Sequence, residues 1–413
     1  MIIDSLKYNG MCSCGREHQM VTECAVVESG CLFQLTAYLN KYGLTEGTVA
    51  VYDENTYQAT ADRHPKVDFE VILCPDDLHA NEHGVELLQK ELPSAAKVLI
   101  AIGSGTIHDI TRYCAYEAGI DFVSCPTAAS VDGFCSSVAA MTWKGSKKTL
   151  TAVAPRFVLA DTDIVKKAPL YLAKSGFGDM VGKYVALTDW KIGHVLTGEF
   201  YCEKIAEMTK DATKEVLESA EGIISGDDAA YENLMYGLLL SGLAMQMMGN
   251  SRPASGAEHH ISHIIEMSPE GLDVHSDALH GEKVGVGTLL AVGEYHRIAE
   301  MNEIEWQDYK EYDREYVYEI FGERLTEEIM AENQKDSASE ITADMIQKAF
   351  PQIIEAIQEM PTLNELKEIY DKLQIKASLE DIDVPQERVS KLLDYSPCVR
   401  NRLTLMRLRK CIK

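Results

Sequence analysis

Residues 98–118, Val98-Leu-Ile-Ala-Ile-Gly103-Ser-Gly-Thr-Ile-His-Asp109-Ile-Thr-Arg-Tyr-Cys-Ala-Tyr-Glu-Ala118, read as a buried strand that runs straight into a glycine corner and out along a helix. A continuous apolar run of this length, entering Gly-Ser-Gly-Thr without a linker, is the strand-to-helix turn of a parallel sheet. Glycine lets the backbone approach a ligand closely, and the first turn of the following helix offers N–H groups and a favourable dipole to a phosphate. The pattern lacks the third glycine of the common dinucleotide fingerprint and the Lys-Ser/Thr of a P-loop, which counts against an NTPase.

Working outward, short β-branched runs recur on both sides: Thr48–Tyr52, Phe69–Cys74, Lys97–Ile102, Asp121–Cys125 and Phe157–Asp161. Helical patterns at Asn55–Ala61, Asp76–Glu91 and Gly105–Ala118 alternate with them, so residues 1–166 are expected to form an α/β domain with a doubly wound parallel sheet. After Lys166 the strand pattern gives way to long helical periodicities, and residues 167–413 are expected to be all-α. With no repeat and no long linker, the two parts are expected to pack closely and to hold the site in the cleft between them.

The composition excludes several classes. In 413 residues, 39 Lys+Arg stand against 65 Asp+Glu, a net charge of -26 that repels nucleic acid and anionic lipid. The apolar stretch Tyr236–Gly249 is too short to span a bilayer and reads as a buried helix. Eleven cysteines, an odd number without the spacing of a secreted scaffold, and no secretory signal point to a reducing cytoplasm.

Three segments carry chemistry besides the corner. Pro126 is followed by Thr127-Ala128-Ala129-Ser130-Val131-Asp132-Gly133-Phe134-Cys135-Ser136, a run of small residues and hydroxyls beyond a strand's carboxyl end, with Asp132 as its carboxylate. Asp53 ends the strand at Tyr52, where a carboxylate either bonds a ribose or simply closes a turn. Five of the twelve histidines fall between His259 and His280. His259 and His263 are one turn apart on a helix, and His280 opens another, so two imidazoles and a carboxylate, with Asp179 the candidate, make a divalent-metal site. His260, His275, Glu258 and Asp273 are substitutes for that set. Cys12, Cys14 and His18 offer zinc-type donors, but their spacing is not that of a finger and a ligand is missing, so no structural metal is expected there.

Together, Gly103-Ser-Gly-Thr-Ile-His-Asp109, Pro126-Thr-Ala-Ala-Ser-Val-Asp132-Gly133, Gly178-Asp179, Arg252-Pro-Ala-Ser-Gly-Ala-Glu-His259, His263 and His280-Gly-Glu-Lys-Val-Gly-Val-Gly287 resemble the sn-glycerol-1-phosphate dehydrogenase family, in its bacterial branch. That family sits within the superfamily of metal-dependent polyol dehydrogenases and dehydroquinate synthase. The resemblance implies NAD or NADP held by Gly103, Ser104, Gly105, Thr106 and Ile107, by Thr127, Ala128, Ala129 and Ser130, and by Asp53 and Ser136. It implies one divalent metal (zinc or nickel, with iron also compatible) on Asp179, His259 and His280. Asp132, Asp179 and His263 are the implied substrate contacts, with His263 and Asp179 at the reacting centre. Lys183 and Arg252, each beside a motif, are the candidates for the substrate phosphate.

The expected reaction is reversible reduction of dihydroxyacetone phosphate to sn-glycerol 1-phosphate, the metal acting as Lewis acid. The expected partner is thus a phosphorylated triose, with no nucleic acid and no membrane, in a homodimer after the family's habit. Three rivals are a glycerol dehydrogenase of unphosphorylated polyol, a dehydroquinate-synthase-like lyase without net NADH change, and a binding protein without turnover.

Overall fold

The computed structural model of the chain describes residues 1–143, 146–301 and 303–413. They form two compact units: Met1–Gly176 with Lys214–Asn250, and Phe177–Thr213 with Ser251–Lys413. This differs from a single boundary after Lys166. The helix Asp228–Met248 is buried along most of its length, and it belongs to the first unit although the sequence around it is all helical.

The first unit is built on a seven-stranded sheet of β1 (Ile2–Asp4), β2 (Cys24–Glu28), β3 (Thr48–Asp53), β4 (Phe69–Leu73), β5 (Val98–Gly103), β6 (Asp121–Pro126) and β7 (Phe157–Asp161), in spatial order β1-β2-β7-β6-β5-β3-β4. All pairs are parallel except β1 with β2, an antiparallel edge in which Ile2 faces Val26. The central strands bury alternate residues in opposite cores. Tyr52, Ile100, Ile102 and Val123 lie in one, and Val51, Leu99, Ala101 and Phe122 in the other. Such two-sided burial explains why these strands read as continuous apolar runs. Helices α1 (Glu82–Glu91) and α2 (Gly105–Ala118) follow β4 and β5, and an antiparallel pair, Val138–Trp143 with Ser146–Thr151, extends beyond β6. The expected strands match within a residue or two. The strands Ile2–Asp4 and Cys24–Glu28 were not expected.

In the second unit the helices that matter for the site are α3 (Leu170–Val181, from Phe177 onward), α4 (Lys183–Thr197), α5 (Ala257–Met267) and α6 (His280–Ala299). Among the described residues no helix is long and apolar enough to cross a membrane, and no disulfide joins the cysteines.

Candidate functional site

In the first unit, β5 ends at Gly103 and α2 starts at Gly105, with Ser104 as its N-cap in extended conformation and making no side-chain cap bond. The early N–H groups of α2 have no acceptor within their own helix, as at every helix start. The corner is tight: a Cβ on Gly103 would stand 2.6 Å from Cβ of Ile107. His108 pins it from behind. Its Nδ1–H donates to Ser104 O at 2.9 Å, and its Nε2 therefore accepts from Ser124 Oγ on β6, also at 2.9 Å. Thr127 N donates to Gly103 O at 3.0 Å, joining the small-residue segment to the corner, and Thr127, Ala128, Ala129 and Ser130 are all buried. Asp132 accepts from Ser241 Oγ at 2.9 Å. Ser136 Oγ accepts from Val138 N, while Ser136 O accepts from Arg112. Asp53 caps the helix Glu54–Ala59 by accepting from Thr56 N at 2.8 Å.

In the second unit, Asp179, His259 and His280 come together from three helices, with one ligand atom of each within 4.8 Å of the others. Close helix packing makes this possible. A Cβ on Gly178 would stand 2.4 Å from Gly281 O, so only glycine lets α3 lie against the start of α6. His263 completes a triangle of imidazoles, with ring centres 5.9 Å from His259 and 6.0 Å from His280.

Each proposed histidine ligand is oriented by a carboxylate. His259 Nδ1 donates to Glu258 Oε1 at 2.7 Å, and His280 Nδ1 to Glu266 Oε1 at 2.9 Å. With Nδ1 carrying the proton, Nε2 keeps its lone pair for a metal, and His259 Nε2 lies 3.6 Å from Asp179 Oδ1. Burial opposes charge on Asp179, but Lys183, His259 and His280 outweigh it and hold the carboxyl well below the usual range. Burial likewise opposes charge on Glu266, and His280 overcomes it. Glu258 goes the other way, pushed by burial up to about 7. Burial, reinforced by its imidazole neighbours, keeps His263 neutral, well below the ordinary histidine value. A buried carboxylate and two imidazoles presenting Nε2, each backed by an acid, fit a divalent ion.

Several sequence candidates have other places. Arg252 is buried, its guanidinium Nε and Nη2 on the two carboxylate oxygens of Glu199 (2.8 and 2.5 Å) and Nη2 also on Leu403 O within the second unit. The Lys183 ammonium, fully buried, donates to Asp179 Oδ1 at 2.7 Å and to Ala254 O. His275 is exposed beside Asp277, and Asp273 is exposed as well, so neither substitutes in the ligand set. His260 is fully buried one residue round the helix from His259 and outside the cluster, and Glu258 acts through His259. Sequence reasoning missed Glu266 and the cations Lys283 and Arg400, whose charges reach Glu266 and His263. The i, i+3 step from His263 to Glu266 was the signal available for the first.

The fold is that of the alcohol dehydrogenases whose family model, iron-containing alcohol dehydrogenase, matches residues 26–169. Solved structures share it at low identity. Glycerol dehydrogenase from Schizosaccharomyces pombe superposes with a TM-score of 0.56 at 19% identity, covering 93% of this chain and 94% of its own. Sulfoacetaldehyde reductase from Bifidobacterium kashiwanohense, solved in complex with NAD+, gives 0.62 at 13% identity, covering 94% of each.

Sequence relatives are more specific. Glycerol-1-phosphate dehydrogenase [NAD(P)+] of Bacillus licheniformis is 38% identical over 301 residues, 70% of this chain and 74% of the relative. The enzyme of that name from Geobacillus stearothermophilus is 33% identical over 408 residues, 96% of this chain and 94% of the relative. The chain belongs to the glycerol-1-phosphate dehydrogenase family.

Proposed function

We infer that this chain is an NAD(P)-dependent glycerol-1-phosphate dehydrogenase that interconverts dihydroxyacetone phosphate and sn-glycerol 1-phosphate. The observation that carries the reading, beside the family, is the convergence of Asp179, His259 and His280 with an acid on the Nδ1 of each imidazole. A divalent ion held there supplies Lewis acidity for the C2 oxygen, and a nicotinamide dinucleotide supplies the hydride donor or acceptor.

The chain's own residues do the rest. Glu258 and Glu266 hold the Nδ1 protons, which fixes both rings with Nε2 forward. Lys183 orients Asp179 and balances its buried charge. His263, neutral at physiological pH, takes the proton from the C2 hydroxyl in the oxidative direction and returns it in reduction. Arg400 and Lys283, cations whose charges act on His263 and Glu266, join Lys183 and Arg252 as candidates for the substrate phosphate, Arg252 being held by Glu199. Asp132 is assigned to substrate by its match to the family motif.

In the first unit the corner Gly103–Ile107, at the N-terminus of α2, would hold the dinucleotide's pyrophosphate, and Thr127–Ser130 and Ser136 would supply its further contacts. Asp53 takes the ribose and favours NAD over NADP. Zinc or nickel, with iron compatible, suits two imidazoles and a carboxylate. The reading carries with it a reducing cytoplasm and a homodimer.

Substitution tests the assignment. Asp179→Ala or His259→Ala is expected to abolish metal-dependent turnover while circular dichroism stays that of the parent. Near-normal turnover in a metal-stripped variant would remove the metal from the reading.

A further inference from the structure

The N-terminal segment holds a second group of metal-type donors that the dehydrogenase reading does not use. Gly10–Met11 and Glu17–His18 pair as a two-stranded antiparallel ribbon, Gly10 opposite His18 and Met11 opposite Glu17. Its five-residue loop is Cys12-Ser-Cys14-Gly-Arg16, closed by Cys12 N donating to Arg16 O at 2.9 Å and Gly15 N to Cys12 O at 3.0 Å. Gly15 has φ +85°, so the turn that follows Cys14 uses a left-handed residue.

A ribbon this short is not stable by itself in water. Nor does apolar burial explain it: Leu6 and Met11 are 82% and 76% exposed, and the best-buried side chain of the ribbon is the polar His18. What the ribbon does achieve is to bring Cys12 Sγ, Cys14 Sγ and a His18 ring nitrogen within 4.8 Å of one another.

His18 is set for ligation. Its Nδ1 lies 2.9 Å from Met247 O, in the last turn of the helix Asp228–Met248, and a carbonyl only accepts, so Nδ1 carries the proton. Nε2 then presents its lone pair toward Cys14 Sγ, 3.2 Å away. A tetrahedral zinc with bonds of about 2.3 Å to sulfur and about 2.05 Å to nitrogen separates those two ligand atoms by about 3.6 Å. The observed gap differs from that by a few tenths of an ångström, within reach of side-chain rotation.

We propose that Cys12, Cys14 and His18 bind a zinc ion that clips the N-terminal ribbon into the first unit, a structural site additional to the one on Asp179, His259 and His280. Two thiolates and an imidazole select zinc over the hard cations. Both thiol protons go to solvent on binding, and the binding free energy becomes folding free energy of the ribbon.

Metal content and cobalt spectra test this independently of the dehydrogenase reading. The variant His259→Ala/His280→Ala, which cripples the other site, is expected to retain a tightly held zinc per chain. Its cobalt-substituted form is expected to show a thiolate-to-cobalt charge-transfer band in the near ultraviolet, a band that imidazoles and a carboxylate cannot give. Cys12→Ser/Cys14→Ser is expected to lose that band and one zinc while keeping metal-dependent turnover.

Should that variant fail to fold, maleimide labelling of the unaltered protein, mapped by peptide mass, replaces it. Zinc is expected to protect Cys12 and Cys14, and a chelator to expose them. Of the eleven cysteines, serine scanning of the other nine shows whether the fourth ligand is a further thiol, since only that substitution would alter the band. Absence of the thiolate band, zinc content unchanged by the double serine variant, or labelling indifferent to zinc would each overturn the proposal.

Discussion

His108 ties the glycine corner to the stability of the first unit in a way that pH makes visible. The ring is wholly buried between Ser104 O and Ser124 Oγ, and burial, with Arg112 close by, pushes it down to about 3. In the unfolded chain a histidine titrates near 6.5. A histidine with a lowered folded value stabilises the fold above the unfolded value. That contribution drains away as pH falls from about 6.5 toward 3, because only the unfolded chain takes up the proton.

At most the effect is about 1.4 kcal/mol per pH unit, and between about pH 7.5 and about pH 4.5 it sums to roughly 2.7 kcal/mol. Other histidines titrate in the same range, so the informative quantity is a difference. Urea unfolding is followed by circular dichroism for the parent and for His108→Gln, which carries no titrating group. The variant is expected to be less stable at neutral pH and to lose roughly 2–3 kcal/mol less than the parent on acidification. Stability curves that run parallel over that range would refute a neutral, buried His108.

Further outcomes follow from the second unit. Glu266→Gln removes the acid from His280 Nδ1, and metal affinity measured against a competing chelator is expected to fall about 10–100-fold; unchanged affinity would show that the acid does not tune the ligand. Gly178→Ala must push α3 off Gly281 O, and because a displacement of that order separates Asp179 from His280, kcat/KM is expected to fall about 100-fold with metal lost in parallel. Arg252→Ala is expected to lower stability by roughly 2–4 kcal/mol through loss of the Glu199 pair while KM for dihydroxyacetone phosphate stays put; a raised KM at unchanged stability would assign Arg252 to the phosphate. Arg400→Ala is expected to raise KM for dihydroxyacetone phosphate and to leave KM for unphosphorylated dihydroxyacetone unchanged, whereas equal effects on both would move the phosphate elsewhere.

Much of this architecture was legible because two-sided burial writes itself into strands as apolar runs, as in Val98–Ile102 and Phe157–Asp161. The strand Ile2–Asp4 is too short to show any period, and its pairing with Cys24–Glu28 depends on residues distant in the chain. The His259–His263 step was readable from helix geometry alone. Glu258 was readable only as a substitute ligand and Glu266 only by its i, i+3 step from His263; that each backs a histidine Nδ1 was not, since a carboxylate beside a histidine gains that role only when packing turns it onto a particular ring nitrogen. At Arg252 and Lys183 the partners Glu199 and Asp179 were not legible, because being next to a motif does not say which way a long side chain runs. Helix Asp228–Met248 shows the same limit at larger scale: its periodicity marked it as buried, but nothing local told which unit would bury it.

The reaction inferred for this chain is a metal-dependent hydride transfer to dihydroxyacetone phosphate. Its most direct test is oxidation of NADH or NADPH by the purified protein with dihydroxyacetone phosphate, with and without prior chelation, followed by chiral analysis of the product. Turnover abolished by chelation, restored by zinc, nickel or iron, and yielding sn-glycerol 1-phosphate is the expected result. Turnover that survives complete metal removal, a product of the opposite hand, or faster reaction with unphosphorylated dihydroxyacetone would contradict the account.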